Sequence, residues 1–260
     1  MARSFLASTH SLRNENLGQT ITPLATGGTI SVWIRPNWNS GDLVTHVFFG
    51  SGTTAALSDL PSFQKFQDNN IYCGFSSGGD QRIVVSDAGL FASGIWANWV
   101  FTWTNNGTGA NTLYRNGVVV GSNATMTKTP AAGLTLGNYN SAIAQVACNS
   151  AFAFYALWGT PLLRQEVQQL THMHPLLVRK HDLMQWCDIG MDNTMRSYQR
   201  NSLMHGGVTG LTSDPLIVKP KTNKIYRYLD NTVAAAAGGF IPIIGRGPGF
   251  ALVGPGGLAG

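Results

Sequence analysis

The chain has 260 residues, of which 43% are apolar and only 11% charged, and it carries a net charge of +5. That length holds one large all-β domain or two small ones, and the charged share is less than half the usual ~25%, so solubility rests on Gly, Asn, Ser, Thr and Gln. No Lys/Arg run interleaved with aromatics supports nucleic-acid binding, and Cys73, Cys148 and Cys187, odd in number and without CxxC spacing, argue against a zinc site or a disulfide framework.

The cysteines read instead as buried free thiols, which suits assembly in a reducing cytoplasm. Residues 161–260 hold ten Lys/Arg against six Asp/Glu, while the first 160 hold seven against six. A solvated basic face is the first reading of that excess, and contact with an acidic partner is the alternative. Residues 1–7 lack the sustained apolar run of a secretory signal. The apolar tail from Val233 is broken by Pro242, Arg246, Pro248 and Pro255, which excludes an ordinary membrane helix.

Strand patterns dominate up to residue 158. Residues 29–35 alternate and stop at Pro36; 45–49 stop at Gly50; 70–75 and 82–86 are short β-branched or aromatic runs between turn residues. Residues 99–104 end at Asn105-Asn106-Gly107, a turn. Residues 112–115 and 118–120 flank Asn116-Gly117, the pattern of a two-residue type I′ hairpin. Strands over 134–137 and 151–158 follow. A helix over 160–170 is expected, with Thr160 as N-cap, Pro161 in its first turn, and Leu163, Val167 and Leu170 on one apolar face. Residues 182–187 read as a strand, 188–215 mostly as loop, and 216–219 and 225–229 as short edge strands. The sequence thus divides into a sandwich over 1–190, a loop-rich extension over 191–233 and a Gly/Pro-rich arm over 234–260. Strands at short spacing with one late helix indicate an antiparallel β-sandwich.

Trp99 to Thr104, the Leu113-Tyr114-Arg115-Asn116-Gly117 hairpin, Leu134 to Gly137, Ala151 to Trp158 and the helix to Leu170 occur in one order. Together with the strand at 29–35, this order resembles the concanavalin A-like, laminin-G-like jelly-roll domains, across roughly residues 1–190. Asn116 stands where the family's hairpin phrase usually has aspartate and suits the same left-handed turn position. The Gly-rich end is similar to versions of the domain found in tailed-phage virion proteins. The resemblance implies an all-β jelly roll with one short helix and an extended C-terminal arm.

Chemistry finds little support. Retaining glycosidases need two carboxylates about 5 Å apart, whereas the chain has two glutamates, Glu15 and Glu166, far apart in sequence, and no strand with acids at i, i+2. Asp188 and Asp192 lie four apart in a stretch without a strand pattern. There is no GxSxG elbow. His172 and His174 share a face if extended, but at a helix end they serve better as caps for the last carbonyls; no metal ligand set is assigned. No cofactor is expected. Calcium, which laminin-G-like domains often hold, would have only Asp80 and Asp87 around one strand.

Glycan binding would use exposed aromatics. Trp38 with Asn39, and Tyr139 with Asn140, are the candidates; covering the sandwich edge is the other role open to these rings. Residues 234–260 cannot build a core alone and need a partner to order them, for which Phe240, Ile243, Ile244 and Phe250 are suitable anchors. The expected function is therefore that of a non-enzymatic virion structural protein, a capsid decoration or accessory subunit that touches the capsid or a neighbouring copy. A carbohydrate-binding module of a phage tail or bacterial surface, with a cell-surface glycan as partner, is the alternative. Neither nucleic acid nor a membrane is an expected partner, and a homo-oligomer or lattice is.

Overall fold

Alternation along residues 29–35 places Ile30, Val32 and Ile34 on one side of a strand and Ser31, Trp33 and Arg35 on the other. In the computed structural model this strand lies mid-sheet. The structure describes residues 2–6, 12–14, 27–50, 62–74, 82–104, 111–123, 134–137, 148–187, 189, 194–196, 203–205 and 212–214.

The first sheet runs in the order β10 (Val118–Asn123), β9 (Asn111–Arg115), β8 (Ala97–Thr104), β3 (Gly27–Pro36), β12 (Ser150–Trp158), β1 (Ala2–Phe5), β16 (Thr212–Asp214). β12 has β1 beside its first residues and β13 (Leu183–Cys187) beside its last. The second sheet runs β14 (Thr194–Arg196), β15 (Leu203–His205), β2 (Leu12–Asn14), β11 (Leu134–Leu136), β4 (His46–Gly50), β5 (Ser62–Lys65), β6 (Asn70–Gly74), β7 (Ile83–Ser86). The described pairings are antiparallel.

The inner faces meet in one core. The first sheet contributes Ile30, Val32, Ile34, Trp99, Phe101, Trp103 and Leu157, the second Phe49, Phe63, Ile71, Cys73 and Ile83. Two bulges adjust which side chains turn inward. A register shift in β4 between Val47 and Phe49 lets both Phe48 and Phe49 join the core. A second shift in β12, between Ala153 and Tyr155, does the same for Phe152 and Tyr155. Phe154, the extra residue, takes a left-handed φ of 42° and packs with Ala153, Trp33 and Trp96 in a separate small cluster.

The hairpin Asn116-Gly117 forms as expected, both residues left-handed at φ 51° and 76°. A third layer covers part of the first sheet. Helix α1 (Arg164–Gln169) and the 3-10 turn Pro175–Leu177 bring Leu162, Val167, Leu170, Leu176 and Val178 into burial. Trp158 Nε1 donates to the Val178 carbonyl at 2.9 Å.

The helix is shorter than expected at its start. Leu162 N donates to Thr29 Oγ1, and Thr160 Oγ1 donates to Asp182, so residues 160–163 are held extended on the sheet. Leu163 becomes the N-cap, its N–H donating to Glu166 Oε2, and its side chain is 62% exposed rather than on the apolar face. Residues 188–215 are less loop-like than expected: β14, β15 and β16 lie in them and extend both sheets. β1, β2 and β5 were likewise not expected. The expected edge strands at 216–219 and 225–229 and the arm at 234–260 lie outside the described residues, as do Asp80, Asp188, Asp192 and the side chain of Cys187. Cys73 and Cys148 are buried free thiols, and burial raises both well above the usual thiol range.

Candidate functional site

Pro36 ends β3, and the chain then folds over one end of the sandwich. Here the expectation for Trp38 is corrected. Its side chain is 6% exposed, its Nε1 donates to the Cys148 carbonyl at 3.3 Å, and its ring stacks on His46 at 3.9 Å and meets Phe91 at 4.6 Å. An indole so enclosed plugs the gap between the sheets and offers no face to a sugar. Asn39 is exposed, with its Oδ1 accepting from Ser93 N at 2.8 Å. Tyr139, Asn140, Phe240, Ile243, Ile244 and Phe250 lie outside the described residues.

Beneath this loop is a buried charge cluster. Lys65, with 0% exposure, donates from Nζ to Asp42 Oδ1 and, at 3.0 Å, to the Val44 carbonyl, and lies 3.9 Å from Asp87 Oδ2. The same ammonium is 5.7 Å from the Trp38 ring centroid, a cation–π contact. His46 Nε2 sits 2.6 Å from Asp42 Oδ2, and Asp87 Oδ2 accepts from Gly41 N at 2.9 Å. Desolvation works to raise the Asp42 carboxyl, but hydrogen bonds from Lys65, His46 and the Val44 backbone outweigh it and hold it below the usual carboxylate value.

That cluster fixes a tip. Leu43 N donates to Asn69 Oδ1 at 3.2 Å, which ties the loop to the β5–β6 turn. Leu43 (66% exposed), Val44 (50%) and Phe66 (37%) then stand out together. Beside them Asp68 is exposed, its Oδ2 accepting from Tyr72 Oη at 2.6 Å.

A second feature lies on the far layer. A shallow, open cavity is lined by Trp33, Phe154, Leu170, Thr171, His172, Met173 and Pro175. His174 sits behind it, edge-on to Phe154 and Trp186. Its Nδ1 accepts from Leu176 N at 3.2 Å, and desolvation lowers its pKa to about 4. His174 thus caps the start of a 3-10 turn rather than the carbonyls at a helix end, and His172 lies apart from it at the cavity's edge, its Nδ1 3.1 Å from Thr171 Oγ1. Among the described residues no group of His, Cys, Asp or Glu has the arrangement of a metal site. Neither the charge cluster nor the Phe154 bulge stands out in the sequence. Trp33 does give a signal, since alternation with Val32 and Ile34 turns it away from the core.

Two antiparallel sheets closed on an aromatic core, with a looped rim and a helix over one back, define a lectin-like jelly-roll β-sandwich. The chain belongs to the concanavalin A-like lectin/glucanases superfamily, whose laminin-G-type family model matches residues 11–168. No curated protein matches it. Among solved structures, a Bacteroides ovatus protein described as a candidate carbohydrate-binding protein superposes with a TM-score of 0.57, at 10% identity, over 84% of this chain and 60% of that one. The receptor-binding domain of a botulinum neurotoxin C/D mosaic serotype gives 0.52 at 11% identity, over 65% and 41%. A heptameric SAP-like pentraxin from Limulus polyphemus gives 0.48 at 15%, over 65% and 81%. The alignments thus span less than two thirds of the Bacteroides and botulinum chains, and at these identities the likeness is one of fold. No helix among the described residues is long and apolar enough to cross a membrane.

Proposed function

We propose that the chain is a non-enzymatic attachment subunit of a virion, assembled in the host cytoplasm. In this reading the sandwich holds a surface or neighbouring protein, and the C-terminal arm docks on the capsid or an adjoining copy through Phe240, Ile243, Ile244 and Phe250. The observation that carries the non-enzymatic part is the state of the carboxylates. Each one whose side chain is described is committed to a structural partner: Asp42 to Lys65 and His46, Asp68 to Tyr72, Asp87 to Gly41, Glu166 to Arg179, Asp182 to Thr160. Asp42 and Asp87 do converge, but the Lys65 ammonium contacts both and all but closes off Asp87. A hydrolytic pair needs one free acid and one free base facing substrate. The virion setting rests on the resemblance of the Gly-rich end of the sequence to tailed-phage versions of the domain.

A second reading, carbohydrate recognition, is favoured by the cavity at Trp33, which pairs an aromatic ring with the polar Thr171 and His172. Asn39, Tyr139 and Asn140 are its further candidates. The Bacteroides neighbour, by its description, fits this reading.

Deleting residues 234–260 tests the first reading: the shortened chain is expected to stay soluble and be absent from purified particles. Its retention at full copy number, or turnover of a polysaccharide by the intact chain, overturns the reading. Saturable oligosaccharide binding that Trp33→Ala abolishes would favour the second.

A further inference from the structure

Leu43 bears two costs at once. Its φ is 56°, a left-handed conformation that bulky L-residues seldom adopt, and two thirds of its surface is in water. Asparagine or glycine would relieve both. The tip is also braced from below: Lys65 holds the Val44 carbonyl, Asn69 the Leu43 amide, and Asp42 its own loop through Val44 N. An exposed apolar tip on a rigid base, with exposed Asp68 at its foot, has the form of a docking element with little entropy left to lose.

With Asp42 ion-paired to Lys65, exposed Asp68 sets the charge of this tip and suits a basic, apolar counterpart, and the chain carries one on its other layer. Leu163 (62% exposed) and Leu177 (41%) flank the Arg179–Glu166 ion pair, with exposed Arg164 and His181 around them. The tip belongs to the second sheet and its loops, whereas this face covers the back of the first. We propose that the Leu43–Val44–Phe66 tip of one molecule docks on the Leu163–Leu177 face of a second copy. Unlike surfaces then meet head to tail, and such contacts propagate into a ring or an open lattice. The contact deepens the attachment reading and rests on it only in supposing that copies meet.

The test is sedimentation velocity on the full chain over a concentration series, with thermal unfolding in parallel. The intact chain is expected to associate, and more weakly as salt rises. Leu43→Asn is expected to weaken association by roughly ten- to a hundredfold, the loss of one buried leucine, while raising Tm by about 2–4 °C through relief of the backbone. Few interface changes stabilise the free molecule, so these opposite signs are the signature. Phe66→Ser is expected to weaken association without the rise in Tm. Asp68→Arg and Arg164→Asp should each weaken it, and the two together restore it. A chain that is monomeric at every concentration overturns the contact, as does a Leu43→Asn protein that gains Tm but associates as before. Incorporation of that variant into particles at the normal copy number would still leave the attachment reading standing, which separates the two failures.

Discussion

The Lys65 side chain has no exposed surface, so its neighbours must replace water. The Asp42 carboxylate, the Val44 carbonyl and the Trp38 face do so. Removing one member of a buried ion pair leaves the other uncompensated, at about 3–5 kcal/mol. Because Asp42 is partly exposed, Lys65→Met is expected to cost about 3 kcal/mol, read from urea unfolding at pH 7. The folded pKa of Asp42 lies below its unfolded value of 3.8. Its contribution is therefore complete above that value and is lost as pH falls through the lowered one. The gap between the intact chain and Lys65→Met should accordingly shrink below pH 4; a gap constant down to pH 2 would mean that Asp42 is not the partner that matters. None of this was legible beforehand, because Lys65 sits in an unremarkable Phe-Gln-Lys-Phe stretch. Trp38 misled for a related reason. Its Asn-rich surroundings look like an exposed loop, and nothing local shows that the loop folds back and inserts the ring beside His46.

Elements whose signal is local were legible. β3 and β8 alternate because one face is buried in the core, and Asn116-Gly117 makes its hairpin because both positions need left-handed backbone. The hairpin also touches the third layer: a Cβ on Gly117 would lie 3.1 Å from both Cα and Cγ of Gln168. Gly117→Ala is therefore expected to cost more than about 1–2 kcal/mol, strain and crowding adding. Asn116→Gly keeps the turn and loses the acceptor for Asn98 N, about 1 kcal/mol. A Gly117→Ala cost no larger than that of left-handed strain alone, about 1–2 kcal/mol, measured by thermal unfolding, would contradict the contact with α1. His174 gives its turn a pH dependence. With a folded pKa near 4 against 6.5 unfolded, the unfolded chain takes up the proton first. Stability is then complete above pH 6.5 and declines as pH falls towards 4, by about 3 kcal/mol in all. His174→Asn keeps a cap acceptor and is expected to remove that slope, at the expense of the ring contacts with Phe154 and Trp186.

At the scale of the molecule, the short late strands decide where the sandwich ends. Thr194–Arg196, Leu203–His205 and Thr212–Asp214 have three residues each and no alternation to read, so a boundary at 190 is what sequence pattern alone suggests. Long-range pairing makes them strands: β16 lies along β1, and β15 joins β14 to β2. A chain cut at 190 loses all three and leaves β1 and β2 as open edges, whose unpaired amides and carbonyls invite association with other chains. A chain cut at 221 keeps every described strand. The 1–221 chain is expected to unfold at the same urea midpoint and with the same slope as the full-length protein, since the slope follows the surface exposed on unfolding. The 1–190 chain is expected to unfold earlier or aggregate. Equal midpoints for 1–190 and the full chain would mean that β14, β15 and β16 merely rest against a sandwich already complete, and that the boundary suggested by pattern is the physical one.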